Sequence, residues 1–153
     1  MNRVVLSELR APWMTIQLNR PKQLNAVDKN VAQCGIQSLV ENVRKVSETS
    51  RFDLFQNSSE TLLSQAKILL ASGTGRAVAA GGDVNSMVNS IKNGRPQDSE
   101  DYLRAEYQFY YLMNTLPIPS FTLMPQICMG GGLGFCHSTT IRIASEKTRL
   151  GKG

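Results

Sequence analysis

The sequence predicts an α/β fold with crossover connections, and three observations carry that expectation. Two short runs of strand periodicity open the chain around a turn, strand-like and helix-like segments alternate after them, and two glycine-rich turns each follow a candidate strand. The 153 residues leave room for one domain or for part of a larger one. An apolar fraction of 41% with 19% charged residues excludes a disordered, collagen-like or disulfide-scaffold chain. No stretch approaches the ~18 consecutive apolar residues of a membrane span, so a soluble chain is expected.

Residues 4–9 and Trp13–Leu18 are the opening strands, separated by Arg10-Ala11-Pro12; Met14, Ile16 and Leu18 alternate with Thr15 and Gln17. Asn19-Arg20-Pro21 breaks the second. From 29 to 46, Ile36, Leu39, Val40, Val43 and Val46 fall at helical spacing, with Asp28 as N-cap. The polar stretch 47–59 has no period and reads as a loop insertion. Within the apolar run 62–71, Ile68-Leu69-Leu70 is a buried-strand candidate. Met87, Val88 and Ile91 suggest a short helix, Asn93-Gly94-Arg95-Pro96 a surface turn, and 98–114 a long helix with Leu103, Phe109, Tyr110 and Met113 on its apolar side. Pro117 and Pro119 stop that helix. Strands at 121–124 and Ile141–Ala144 follow, on either side of a glycine cluster.

Seventeen basic against twelve acidic residues give a net charge of +5, which favours anionic partners. The charge forms no run of five, so it does not select among phosphates, cofactors and nucleic acid. Cys34, Cys128 and Cys136 are odd in number and lack a C-x-x-C spacing, so they read as free thiols. His137 is the only histidine, which removes a two-histidine metal site and leaves a structural role as the plainer expectation over a cysteine–histidine pair. The first residues carry neither a signal-peptide apolar core nor an Arg/Ser-rich presequence.

The glycine turns Ala79-Ala80-Gly81-Gly82-Asp83 and Gly130-Gly131-Gly132 are where chemistry is available. Each can lead a strand into a helix N-terminus, where unpaired N–H groups point outward. Two such groups converging on one point would hold the charge that develops on an ester or thioester oxygen. From spacing alone, the plainer reading of both is a tight connection without a ligand. The nucleotide motifs G-x-x-x-x-G-K-[ST] and G-x-G-x-x-G are missing. Glu106 sits on the long helix among aromatic and apolar neighbours. Its own helix favours a solvated face slightly, whereas a desolvated carboxyl there would serve as an acid or polar anchor.

Three segments in order change that balance. Ile16-Gln17-Leu18-Asn19-Arg20-Pro21-Lys22-Gln23-Leu24-Asn25-Ala26 resembles the opening signature of the crotonase (enoyl-CoA hydratase/isomerase) superfamily, and Ala80-Gly81-Gly82-Asp83-Val84 and Met129-Gly130-Gly131-Gly132-Leu133-Gly134 resemble its two oxyanion segments. Arg104-Ala105-Glu106-Tyr107 and Arg142-Ile143-Ala144-Ser145-Glu146-Lys147-Thr148 are similar to the 3-hydroxyisobutyryl-CoA hydrolase branch. The resemblance implies the N-terminal part of a crotonase-like ββα spiral, a single and C-terminally incomplete domain over residues 1–153. It implies backbone N–H groups of Gly82 and Gly131 as the oxyanion hole, and Glu106, Ala80, Gly81 and Asp83 around the substrate. Lys22, Gln23 and Leu24 would lie along the coenzyme A path. No resident cofactor is implied, since coenzyme A is part of the substrate.

The resemblance implies a thioester hydrolase of valine catabolism, mitochondrial, or alternatively peroxisomal or cytoplasmic. Gly134 stands where family hydratases carry a catalytic glutamate, which argues against hydratase chemistry. Pro125-Gln126 departs from the Asp-Gly or His-Gly pair that usually precedes the second oxyanion segment, and the chain reads Arg149-Leu150-Gly151-Lys152-Gly153 where the family continues to its principal catalytic glutamate. The ending therefore reads as a fragment boundary, a splice form or a mispredicted gene, with low activity and self-association through an uncovered core as expectations. A non-catalytic crotonase-like subunit, for example of a mitochondrial ribosome, is the alternative class. Neither a membrane nor nucleic acid is an expected partner.

Overall fold

A computed structural model describes residues 3–10, 12–52 and 66–151, with the side chains of 43–52 outside the description. β1 (Val5–Arg10) and β2 (Trp13–Leu18) form the expected antiparallel hairpin. β2 then pairs in parallel with β3 (Ile68–Gly73), β3 with β5 (Ser120–Met124), and β5 with β7 (Ile141–Ala144), which completes a five-stranded sheet of order β1-β2-β3-β5-β7. A second, all-parallel sheet of order β4-β6-β8 holds β4 (Ala77–Ala80), β6 (Ile127–Met129) and β8 (Arg149–Gly151). Among the described residues four helices connect them: α1 (Lys29–Phe52), α2 (Val84–Lys92), α3 (Pro96–Asn114) and α4 (Gly131–His137).

Three departures from the sequence reading are instructive. The expected loop at 47–59 is helical through Phe52, because α1 continues, and 53–59 lie outside the described residues. β6 and β8 were not anticipated: three-residue strands are too short to show a period. The Arg149-Leu150-Gly151 stretch, read as a departure, forms β8 and lies beside β6, with the Gly130 N–H donating to the Gly151 carbonyl at 3.3 Å.

The inner face of the larger sheet carries Val5, Met14, Ile16, Leu18, Leu69, Ala71 and Met124, all buried against the helices. On α1 the buried side is Val31, Ala32, Gly35 and Leu39, one turn earlier than the predicted stripe. Asp28 caps this helix as expected, accepting from the Val31 N–H at 2.7 Å. α1 and α3 meet where a Cβ on Gly35 would stand 2.5 Å from the Phe109 ring. Phe109 is fully buried and packs on Phe135 with ring centroids 5.9 Å apart; burial of such a ring contributes about 1.5–3 kcal/mol.

Between β2 and α1 the chain turns through a short 3-10 segment, Pro21–Gln23, and then places Leu24 and Asn25 at φ of 51° and 56°. That left-handed pair costs backbone energy. Asn25 offsets it: its Nδ2 donates to the carbonyls of Thr74 (2.8 Å) and Ala77 (2.7 Å), and its Oδ1 accepts from the Arg20 N–H (2.7 Å). The buried amide thus ties the first turn to the β3–β4 connection. Asn25→Ala would strand these backbone groups at roughly 1–3 kcal/mol each where no water replaces the partner. The expected outcome is a loss of about 3 kcal/mol in urea unfolding, and a loss under 1 kcal/mol would remove Asn25 from this role.

On the outer face of the sheet the β1–β2 half is mixed, with Glu8, Thr15 and Gln17 beside the exposed Leu6 and Trp13, while registered neighbours Phe121–Ile141 and Leu123–Ile143 make the β5–β7 half apolar. Ile141 and Ile143 are 45% and 47% exposed on an edge strand, the arrangement that invites association. Sedimentation should show concentration-dependent association that Ile143→Lys reduces without lowering the melting temperature. A wild-type chain that stays monomeric at high concentration would contradict this.

Candidate functional site

Among the described residues each glycine turn leaves peptide N–H groups without an internal partner. In the first, the amides of Ala80, Gly81 and Asp83 donate to the carbonyls of Leu24, Met129 and Val27 at 2.9, 2.8 and 2.9 Å, and Val84 donates to Gly82. The Gly82 N–H makes no bond among the described residues. In the second turn Gly130 donates to Gly151 and Leu133 to Gly130; the Gly131 and Gly132 amides, in the first turn of α4, find no acceptor among the described residues. Such orphan donors are the rule at a helix start. Here Gly82 and Gly131 lie side by side.

A Cβ on Gly131 would stand 2.9 Å from the Gly82 nitrogen and 3.1 Å from Glu106 Oε1. A Cβ lies about 2.5 Å from its own amide nitrogen, so the two nitrogens are within about 5.4 Å of each other. One oxygen can accept from two donors at roughly 2.7–3.1 Å across that separation. A Cβ on Gly82 would collide with the Tyr102 hydroxyl and stand 3.7 Å from Glu106 Oε1. Gly81 reaches φ 85° and Gly130 φ 49°, so each turn also needs a glycine for its dihedrals.

Glu106 is 6% exposed, not on a solvated face. Tyr102, Glu106 and Tyr110 follow one another at four-residue spacing along α3 and share one side. The Tyr110 hydroxyl lies 2.8 Å from Glu106 Oε1 and 3.0 Å from the Gly131 carbonyl oxygen, and the Tyr102 hydroxyl donates to the Val27 carbonyl at 3.0 Å. Burial pushes the Glu106 carboxyl above its ordinary value, and the hydrogen bonds of Tyr110 and Tyr102 offset part of that rise. Both phenols are raised as well, first by burial and then by the nearby Glu106 carboxylate. Their alternation with Glu106 was the available sequence signal; the sequence reading used only Tyr110, as a core residue, and missed Tyr102.

Asp83 turns its side chain to structure. Its Oδ1 accepts from the Ser86 N–H at 3.1 Å, capping α2, and its Oδ2 lies 3.9 Å from Arg20 Nη2. Arg20 pairs more closely with Asp28, Nη1 to Oδ2 at 2.8 Å, and donates to the Ala26 carbonyl. One mostly buried guanidinium thus joins the caps of α1 and α2. A groove of about 370 Å³ opens beside them, lined in part by Asp83, Ser86, Met87, Ser99 and Tyr102.

Lys22, Gln23 and Leu24 lie on the 3-10 turn next to β4, joined to it through the Ala80–Leu24 bond. Lys22 and Gln23 are exposed and help line a second surface pocket of about 320 Å³ with Arg20 and Pro21. Lys22 forms no ion pair among the described residues. His137 is exposed in the last turn of α4 while its neighbour Cys136 is fully buried. No helix among the described residues is long and apolar enough to cross a membrane.

A family model described as enoyl-CoA hydratase/isomerase matches residues 13–152. The chain is 33% identical over 144 residues to 3-hydroxyisobutyryl-CoA hydrolase 1 of Arabidopsis thaliana, covering 94% of this chain and 33% of that protein. It is 33% identical over 134 residues to 3-hydroxyisobutyryl-CoA hydrolase, mitochondrial, of Gallus gallus, covering 87% and 30%. Small ribosomal subunit protein mS47 of Schizosaccharomyces pombe is 29% identical over 147 residues, covering 96% and 30%. The chain therefore spans about a third of the length of the curated relatives it matches. The crystal structure of an enoyl-CoA hydratase from Rhodobacter sphaeroides superposes with a TM-score of 0.77 at 23% identity, over 97% of this chain and 39% of that one. That likeness establishes the α/β fold of these enzymes here.

The buried carboxyl gives a pH test with a definite sign. A folded-state value above the ordinary 4.5 means that the native chain holds this proton more tightly than the unfolded chain. Its contribution is complete below the ordinary value and is lost as pH rises through the folded value. Glu106→Gln should therefore melt higher relative to wild type at pH 8 than at pH 4.5. A difference independent of pH would mean that Glu106 is not desolvated.

Proposed function

The chain belongs to the enoyl-CoA hydratase/isomerase family, and from that premise we propose that its glycine pair is the oxyanion-binding half of an acyl-CoA thioester hydrolase site of the 3-hydroxyisobutyryl-CoA hydrolase type. The observation that carries this reading is the pair of unbonded amides, Gly82 and Gly131, with the Glu106 carboxyl beside both. In this role the two N–H groups hold the thioester oxygen as water adds to its carbon. Collapse then expels the coenzyme A thiol and releases the free acid. The buried Glu106 carboxyl is a polar anchor suited to the hydroxyl of a hydroxyacyl group.

A specific contact favours hydrolysis over hydration. A Cβ on Gly134 would stand 2.7 Å from Tyr110 Cε2, and that ring is held by its hydroxyl at Glu106 and Gly131. The position at which the hydratases carry a carboxylate is thus closed by an aromatic ring. Lys22, exposed on the turn joined to Ala80, suits the phosphates of coenzyme A, which arrives as part of the substrate; no resident cofactor enters this chemistry. A mitochondrial location, in valine catabolism, belongs to the same proposal and is supported by the relative named mitochondrial.

The second reading, a non-catalytic subunit, is supported by the likeness to a small ribosomal subunit protein. Binding separates the two. The 153-residue chain should bind a non-hydrolysable 3-hydroxyisobutyryl-CoA analogue in calorimetry, and Gly131→Ala, whose Cβ would crowd Gly82 and Glu106, should weaken it at least tenfold with unchanged circular dichroism. No analogue binding, or binding indifferent to Gly131→Ala, would favour the subunit reading.

A further inference from the structure

Two sulfurs meet inside the strand–turn–helix that carries Gly131. Cys128 on β6 and Cys136 near the end of α4 are both fully buried, with their Sγ atoms 2.8 Å apart. The approach has a backbone cause: a Cβ on Gly132 would collide with the Ala79 carbonyl, so α4 lies directly on the small sheet with no side chain between. The Cys128 Sγ also lies 3.4 Å from the Gly132 carbonyl. Cys34 is elsewhere, half-buried on α1 with its Sγ 3.5 Å from Asn30 Oδ1.

We propose that Cys128 and Cys136 are an oxidisable dithiol, closing to an intrachain disulfide that clamps β6 to α4 around the Gly130–Gly132 turn. The hydrogen bond from Cys136 lowers the Cys128 thiol from its usual value, and the same contact together with burial raises Cys136. Cys128 is accordingly the attacking sulfur. With hydrogen peroxide as oxidant, the Cys128 sulfur attacks the O–O bond, becoming a sulfenic acid and releasing water. The Cys136 sulfur then attacks the sulfenic sulfur, forming the S–S bond and releasing a second water with its own proton. The two sulfurs together lose two electrons to the peroxide. Because neither sulfur reaches solvent, oxidation waits on local opening and is slow beside that of an exposed thiol.

The clamp is independent of the thioester proposal and is tested without it. The chain, purified under reductant, is treated with a small excess of hydrogen peroxide, unfolded, alkylated and cleaved after Phe135, which separates the two cysteines. The expected product keeps the fragments joined, lighter by two hydrogens, with Cys34 alkylated, and a thiol reductant parts them. The same result is expected for Cys34→Ser, together with a urea midpoint that rises on oxidation and falls back on reduction. Three alkylated cysteines after peroxide, sulfinic acid at Cys128 or Cys136, or disulfides made only through Cys34 would overturn the proposal.

Discussion

Backbone must touch backbone where the two sheets feed their helices, and most of the molecule is arranged to allow it. Gly132 lies against the Ala79 carbonyl and Gly131 against the Gly82 nitrogen, at separations that leave no room for a Cβ. Only glycine can occupy either position without moving a strand. The contact sets how α4 sits on β4 and β6, and so sets where the Gly131 amide points relative to Gly82. It also brings the Cys128 and Cys136 sulfurs together. A methyl group on Gly132 would push α4 off the small sheet, whereas one on Gly131 would crowd the Gly82 nitrogen and Glu106 while leaving the helix in place.

The turns are held from outside by polar groups that the hydrophobic pattern does not advertise. Asn25 fixes the chain before α1 to the carbonyls of the β3–β4 connection. Arg20 joins the capping carboxylates of both α1 and α2. Being partly buried, these groups depend on one another: removing Arg20 would leave Asp28 without its close charge partner, while removing Asp83 would also strip the Ser86 cap. The first turn therefore stays open by virtue of interactions that begin more than fifty residues earlier in the chain.

What was legible in the residues follows physical range. Alternation in Met14–Leu18, the Asp28 cap and the proline stops are local signals, and the elements they predict are present. β6 and β8 rest on pairing with distant partners, Ala77–Ala80 for the first and β6 itself for the second, and three residues carry no period of their own. The continuation of α1 through Phe52 shows helical propagation overriding a polar composition that reads as loop. Glu106 is the telling case at the site. A carboxylate on a helix is by default solvated; its aromatic and apolar neighbours pointed the other way, and so did its four-residue spacing from two tyrosines, which the sequence reading did not use.

That tyrosine pair fixes the surroundings of the carboxyl. The Tyr110 hydroxyl has one proton and two oxygens within reach, Glu106 Oε1 at 2.8 Å and the Gly131 carbonyl at 3.0 Å. The Tyr102 hydroxyl, one turn away, donates to the Val27 carbonyl. The Gly131 carbonyl opens α4 and has the helix ladder as its backbone donor, so Tyr110 is an added partner there rather than the one that satisfies it. Desolvation raises the carboxyl above its ordinary value, and the tyrosine hydrogen bonds offset part of that rise. One ring thus couples the buried carboxyl to the backbone that carries the Gly131 amide, so that moving either would move the other.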